Sequence, residues 1–155
     1  MSRITNRQTE KMSDKSFKMM LAIFKIVDFF FPYVRKRIKK FGIEGGMTVV
    51  DYGCGPGRYS IPIAEMVGVK GRVYALDIHE MALKKVQEKI SKAGIENIKT
   101  SLAKGNDDGD YNSGLNDNIA DIVCAIDMFF IIKRPAEFLK EIRRILKPNG
   151  ILNNR

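Results

Sequence analysis

The chain has 155 residues and a mass of 17.6 kDa, with 45% hydrophobic and 29% charged residues, which excludes a disordered or collagen-like protein. Its formal net charge is +9, but residues 1–46 hold 11 Lys/Arg against 4 Asp/Glu, so the excess sits at the N-terminal end. Two cysteines, no secretory pattern in Met1-Ser2-Arg3-Ile4-Thr5-Asn6 and an apolar stretch (Met19 to Phe31) broken by Lys25 and Asp28 exclude a disulfide scaffold, a secreted protein and a membrane span; a cytoplasmic protein is expected.

Residues 1–44 read as a basic, Phe-rich helical segment. Ser13 or Asp14 is the expected N-cap, and Phe17, Met20, Leu21, Phe24 and Val27 follow the helical period. Pro32 interrupts, and Tyr33 to Phe41 forms a second helix carrying Arg35, Lys36, Arg37, Lys39 and Lys40. The apolar stripe suits packing against a neighbour or a lid over a site, and the charge run a solvated helical face, an RNA, an anionic membrane surface or an acidic partner.

Residues 45–155 change rhythm to alternating strands and helices. Strands are expected at Thr48–Tyr52, Arg72–Asp77, Ile98–Leu102 and Asp121–Ile126. Helices are expected at Arg58–Val67, from Met81 to Ala93 with Gly94 ending it, and from Pro135 through the stripe Phe138, Ile142, Ile145 and Leu146. Pro148-Asn149-Gly150 stops the last helix, leaving Ile151-Leu152-Asn153 as a fifth strand. Continuous apolar strands between helices predict an α/β, Rossmann-like, doubly wound and mostly parallel sheet of about five strands. Two cysteines, read as buried packing thiols, and a single histidine give no metal cluster.

The sharpest feature is Asp51-Tyr52-Gly53-Cys54-Gly55-Pro56-Gly57-Arg58, between the first strand and its helix. Ligands of doubly wound sheets bind outside the carboxyl ends of strands. A dinucleotide site wants a third glycine at position 58, where Arg58 stands instead. Asp51 would repel a diphosphate and suits a cation, while Asp77, at the end of the second strand, can accept both hydroxyls of a ribose. A cation at one end and a nucleoside at the other describe S-adenosyl-L-methionine better than a nicotinamide dinucleotide.

On these residues the chain resembles class I S-adenosylmethionine-dependent methyltransferases of the methyltransferase-11-like group. Val49 to Gly57 is similar to their first motif, Val73 to Ile78 to their second, and Leu146-Lys147-Pro148-Asn149-Gly150 to their helix-to-strand turn. The resemblance implies that Asp51, Gly53, Cys54, Gly55, Gly57 and Tyr59 surround the methionine moiety and that Asp77 and Ile78 meet the ribose and adenine. It further implies that Asp110 with Tyr111 lies beside the adenine, Asp107 and Asp108 competing for that place, and that Ile126 and Asp127 border the sulfonium. Met128, Phe129 and Phe130 would face a small-molecule methyl acceptor. No general base is visible, and His79 reads as a surface or ribose-edge residue. The family's sheet has seven strands, so this chain is expected to lack the last two and to dimerise through the exposed edge of the fifth. The alternatives are a truncated relative that binds the cofactor without turnover and an RNA methyltransferase using the basic leader.

Overall fold

The computed structural model describes residues 13–30, 33–104, 111–128 and 131–154. Asp107, Asp108, Asp110, Phe129, Phe130 and the break at Pro32 lie outside the described residues. The elements run α1 (Asp14–Phe30), α2 (Tyr33–Ile38), β1 (Thr48–Tyr52), α3 (Ser60–Val67), β2 (Arg72–Asp77), α4 (Glu80–Ala93), β3 (Ile98–Leu102), β4 (Ala120–Cys124), α5 (Pro135–Ile145) and β5 (Leu146–Asn153). All strand pairs are parallel, in the order β3-β2-β1-β4-β5. The chain winds outward from β1 to β3 and then returns to the other side of β1, so the winding reverses between β1 and β4.

Successive strand residues point to opposite faces, and both faces are covered. Val49, Val73, Ala75, Ile122 and Cys124 pack under α2, α3 and α4, joined by Ile38, Ile63, Val67 and Val86. Val50, Tyr52, Leu76 and Val123 pack under α5 through Phe138, Ile142 and Ile145. Burial on both sides explains why the strands read as unbroken apolar runs. Phe138 is fully buried and meets the rings of Tyr52 and Tyr111 edge-on, at 5.1 and 5.5 Å between centroids.

Local chemistry sets the ends of the helices. Ser13 caps α1 by accepting the Ser16 N–H at 3.2 Å. Gly94 ends α4 in the left-handed conformation, and Pro135 opens α5 in its first turn. Three boundaries differ from expectation. Helix α3 begins at Ser60, because Gly53 to Gly57 occupies a wider turn, and β4 ends at Cys124. Strand β5 starts at Leu146, straight out of α5. Leu146 pairs with Ala120 and Ile151 with Ile122, so Lys147 to Gly150 is accommodated as an irregularity within the strand. Pro148 is tolerated there because β5 is an edge strand.

Gly57 holds a φ of +77°, and a Cβ on it would sit 3.0 Å from Val86 Cγ2 of α4. Gly57→Ala is therefore expected to lower stability by about 1–2 kcal/mol in urea unfolding, from left-handed strain plus displacement of Val86.

Candidate functional site

A cavity of about 560 Å3 opens at the carboxyl ends of β1, β2 and β4, beside the point where the winding reverses. Its floor is the turn from Gly53 to Arg58, one wall is Asp77-Ile78-His79, and another is Ile126-Asp127-Met128. Phe17, Met20 and Ile23 of α1 and Tyr33 of α2 line it as well, so the N-terminal helices contribute to the site.

The turn is bound tightly to β2. The Gly53 and Cys54 N–H groups both donate to Leu76 O, at 2.8 and 2.9 Å. The Gly55 N–H donates to Asp77 Oδ2 at 2.8 Å, Pro56 has no N–H, and the Gly57 N–H donates to Cys54 O at 3.0 Å. From position 53 to 57, every backbone donor is therefore already engaged. A phosphate-binding loop works by aiming such donors at its anion; this one does not. Gly53 carries a φ of +79°, and a Cβ there would lie 2.8 Å from Met128 Sδ, so a side chain would fill the space between floor and wall.

Asp77 accepts on both oxygens, from Gly55 N–H and from His79 N–H at 2.9 Å. Burial pushes its pKa above the usual carboxylate value against the opposing pull of those N–H groups. A carboxylate offers about four acceptor positions, so the two hydrogen bonds leave capacity for a diol. Asp51 is placed differently from expectation: it is 2% exposed, accepts from Ser60 Oγ at 2.5 Å, and is not among the lining residues. Burial, reinforced by the charge of Asp77, raises its pKa to about 6. Gly57 also stands behind the floor, while Gly53, Cys54, Gly55, Tyr59, Asp77, Ile78, Tyr111, Ile126 and Asp127 all line the cavity. The Cys54 thiol is buried, and burial lifts its pKa well above the ordinary value, which leaves it a neutral packing group.

A family described as "Methyltransferase domain" matches residues 43–153. The chain belongs to the class I S-adenosylmethionine-dependent methyltransferases. Among similar proteins, the demethylmenaquinone methyltransferase of Geobacillus stearothermophilus is 32% identical over 117 residues, covering 74% of this chain and 47% of that protein. The enzyme of that name from Listeria monocytogenes is 31% identical over 118 residues, covering 76% and 48%. The chain thus spans about half the length of these relatives. A solved S-adenosylmethionine-dependent methyltransferase from Aquifex aeolicus superposes with a TM-score of 0.73 at 31% identity, over 89% of this chain and 69% of that one. A Methanococcus maripaludis protein assigned to the same activity gives 0.74 at 27% identity, over 99% and 67%.

Two ties between this cavity and the N-terminal helices are not legible in the sequence. His79, expected at the surface or at the ribose edge, is buried in the cavity wall that also holds Asp77. It is 5% exposed, lines the cavity, stacks on Phe17 with ring centroids 4.6 Å apart, and caps α4 by accepting Met81 N–H on Nδ1 at 3.2 Å. That bond places the proton of a neutral ring on Nε2, which lies 3.2 Å from Asp14 of α1. Nδ1 is thereby engaged by the protein, while Nε2 is buried close to Asp14 without a hydrogen bond among the described residues. A second tie to the N-terminal helices is Arg37, whose two terminal nitrogens donate to the Asp127 carboxylate at 3.1 and 3.2 Å and which also donates to Tyr59 OH at 2.7 Å. Asp127 adopts a φ of +56°, a strained conformation for a non-glycine residue. The Asp14 to His79 and Arg37 to Asp127 pairings join residues 65 and 90 positions apart, and no short-range pattern announces them.

Proposed function

We propose that this domain binds S-adenosyl-L-methionine in the cavity and transfers its methyl group to a small apolar molecule. The observation that carries the reading is the glycine turn without spare backbone donors, set next to the buried carboxylate of Asp51 and the half-buried one of Asp77. Such a turn offers a diphosphate no backbone N–H from Gly53 to Gly57, and the two carboxylates next to it favour a cationic nucleoside. When bound, S-adenosyl-L-methionine supplies a methyl group activated on a sulfonium. Asp77 would accept the ribose hydroxyls, Ile78 and Tyr111 would flank the adenine, and the Asp51 charge would favour the cation from beneath the floor. Gly53, Gly55, Cys54, Tyr59, Ile126 and Asp127 would enclose the methionine end, and Asp110 is proposed beside the adenine only by resemblance.

The part of the cavity formed by Phe17, Met20, Ile23, Met128, Ile131 and Ile132 is apolar and suits an apolar acceptor better than an RNA. The relatives named for demethylmenaquinone methylation agree with a small-molecule acceptor. These side chains orient the acceptor and exclude water, which is the main contribution a protein makes to an in-line methyl transfer. His79 is not assigned as a base, since acting as one would break its cap on α4 or its approach to Asp14. We also read the protein as cytoplasmic, from Cys54 and Cys124, which are both free and buried; among the described residues no helix is long and apolar enough to cross a membrane.

Calorimetric titration with S-adenosyl-L-methionine and S-adenosylhomocysteine tests the cofactor, and transfer of labelled methyl to a panel of apolar quinols, phenols and amines tests turnover. Saturable binding of both nucleosides is expected, without response to NADH. Binding of NADH in their place would overturn the reading, while nucleoside binding without transfer to any acceptor would leave a cofactor-binding module.

A further inference from the structure

The wall that α1 and α2 give the cavity continues onto the outer surface. Ile23, Tyr33 and Ile131 line the cavity and are also exposed, Ile23 to 51%. Met19, one helical turn before Ile23, is 63% exposed. Segments far apart in sequence thus bring large apolar side chains to one mouth, where contact with water is unfavourable.

The charge on these helices is mostly of one sign. Residues 13–41 hold 8 Lys/Arg against Asp14 and Asp28. Arg35 pairs with Glu65 and Arg37 with Asp127, while Asp14 stands against His79. Lys15, Lys18, Lys36, Lys39 and Lys40 are exposed. On α1, Lys15, Met19 and Ile23 follow at intervals of four, and Lys18 and Ala22 fall between them at the same spacing. All five are exposed, so cations and apolar side chains share one face, opposite the buried Phe17. Such a face suits the boundary of an anionic bilayer, where apolar side chains enter the acyl layer and lysine stems reach the headgroups. An RNA backbone would use the lysines but give Met19 and Ile23 no apolar phase to enter.

Resting on the apolar-acceptor reading above, we propose that the mouth formed by α1, Tyr33 and Ile131 docks on an anionic lipid bilayer, from which the acceptor enters the cavity. An apolar molecule partitions into the acyl layer and is scarce in water. A mouth seated on lipid lets it reach the cavity without crossing the aqueous phase, and the lysines of α1 and α2 hold the protein in that orientation.

The experiment is flotation with vesicles of equal parts phosphatidylglycerol and phosphatidylcholine, and with vesicles of phosphatidylcholine alone. Wild-type protein should bind the neutral vesicles at least about 10-fold more weakly than the anionic ones. Lys15→Gln with Lys18→Gln should weaken binding to the anionic vesicles by roughly 10- to 30-fold, and Met19→Ser by about 3- to 10-fold. Val69→Ser with Lys70→Gln, on the exposed loop before β2 at the opposite end of the strands, should stay within about twofold of wild type. An unchanged urea midpoint shows that each variant is folded. Equal losses for the two lysine-bearing variants, or no loss for Met19→Ser, would mean general attraction of a basic protein to an anionic surface and would overturn the proposal. Absence of vesicle binding by the wild type, or tighter binding of a single-stranded RNA through Lys15 and Lys18, overturns it as well. Vesicle binding is measured without nucleoside, so its failure leaves the cofactor reading intact, and failure of S-adenosylhomocysteine to bind leaves the docking surface intact.

Discussion

Asp77→Ala is expected to weaken S-adenosylhomocysteine binding by about 100-fold, close to 3 kcal/mol, because one side chain serves two purposes. It is the proposed acceptor for the ribose, and its oxygens hold Gly55 N–H at 2.8 Å and His79 N–H at 2.9 Å. Removing it frees both donors and loosens the floor and the start of α4 together. Asp77→Asn is no gentle substitute, since its amide would turn an N–H toward one of two groups that are themselves donors. The wild-type carboxyl titrates above the usual carboxylate value, chiefly because it is buried. Affinity that depends on its charge should therefore weaken on acidification sooner than an exposed aspartate would give, and the alanine variant should lose the part of this acid limb that Asp77 carries, keeping that of Asp51. Isothermal titration from pH 5 to 8 reads both effects. An alanine variant with wild-type affinity at pH 8 would remove the ribose role of Asp77.

The second large effect runs the opposite way, toward greater stability. Asp51 is 2% exposed, with a pKa raised from 3.8 to about 6 by burial first and by the charge of Asp77 in support, against the Ser60 hydrogen bond that lowers it. An acid whose pKa is higher in the folded protein than in the unfolded chain binds its proton preferentially when folded. Its contribution is fully present below pH 4 and is lost as pH rises through about 6. At pH 8 the folded protein carries the whole penalty, about 3 kcal/mol from a shift of roughly two units. Asp51→Asn keeps an acceptor for Ser60 and removes the charge, so urea unfolding at pH 8 should show a gain approaching that figure. The difference between variant and wild type should shrink steadily as pH falls from 6 to 4. The same substitution should weaken binding of a cationic nucleoside, since a charge beneath a dry floor acts with little screening. Parallel stability curves for the two proteins would show that the Asp51 pKa is the same in the folded and unfolded states, which removes the burial penalty. A stability gain without loss of affinity would separate Asp51 from the ligand.

Much of this protein is legible without coordinates, because the deciding signals are local. Val49-Val50 and Ile122-Val123 read as buried strands because a strand covered on both faces has no polar period to interrupt it. The turn from Gly53 to Gly57 and the acid at Asp77 stand out because a chain leaving a strand tip toward a helix needs positive φ within a few residues, and Gly53, Gly55 and Gly57 adopt it. The ends of α4 and α5 follow from Gly94 and Pro135, whose backbones permit few alternatives. Pro148-Asn149-Gly150 misled for the same reason: turn residues mark a bend in the chain, and only pairing with β4 makes that bend part of a strand.

Tertiary structure decided everything that depends on two distant segments meeting. Whether the Phe17 face of α1 would pack on a neighbour or lie over the site could not be read from its period, since both bury the same stripe. The sequence leaves His79 open between the surface and the ribose edge because a lone histidine after a strand has no pattern that records burial; its partners are 62 and 65 residues away. The sequence puts Asp51 at the strand end beside the methionine moiety, whereas its carboxylate is buried on Ser60 and off the cavity lining, a difference of side-chain direction that no spacing encodes. Local sequence sets backbone conformation, and so it determined the strands, the turn and the family. The depth and partners of each polar group depend on which surfaces close over it, and that is settled only when the whole chain packs.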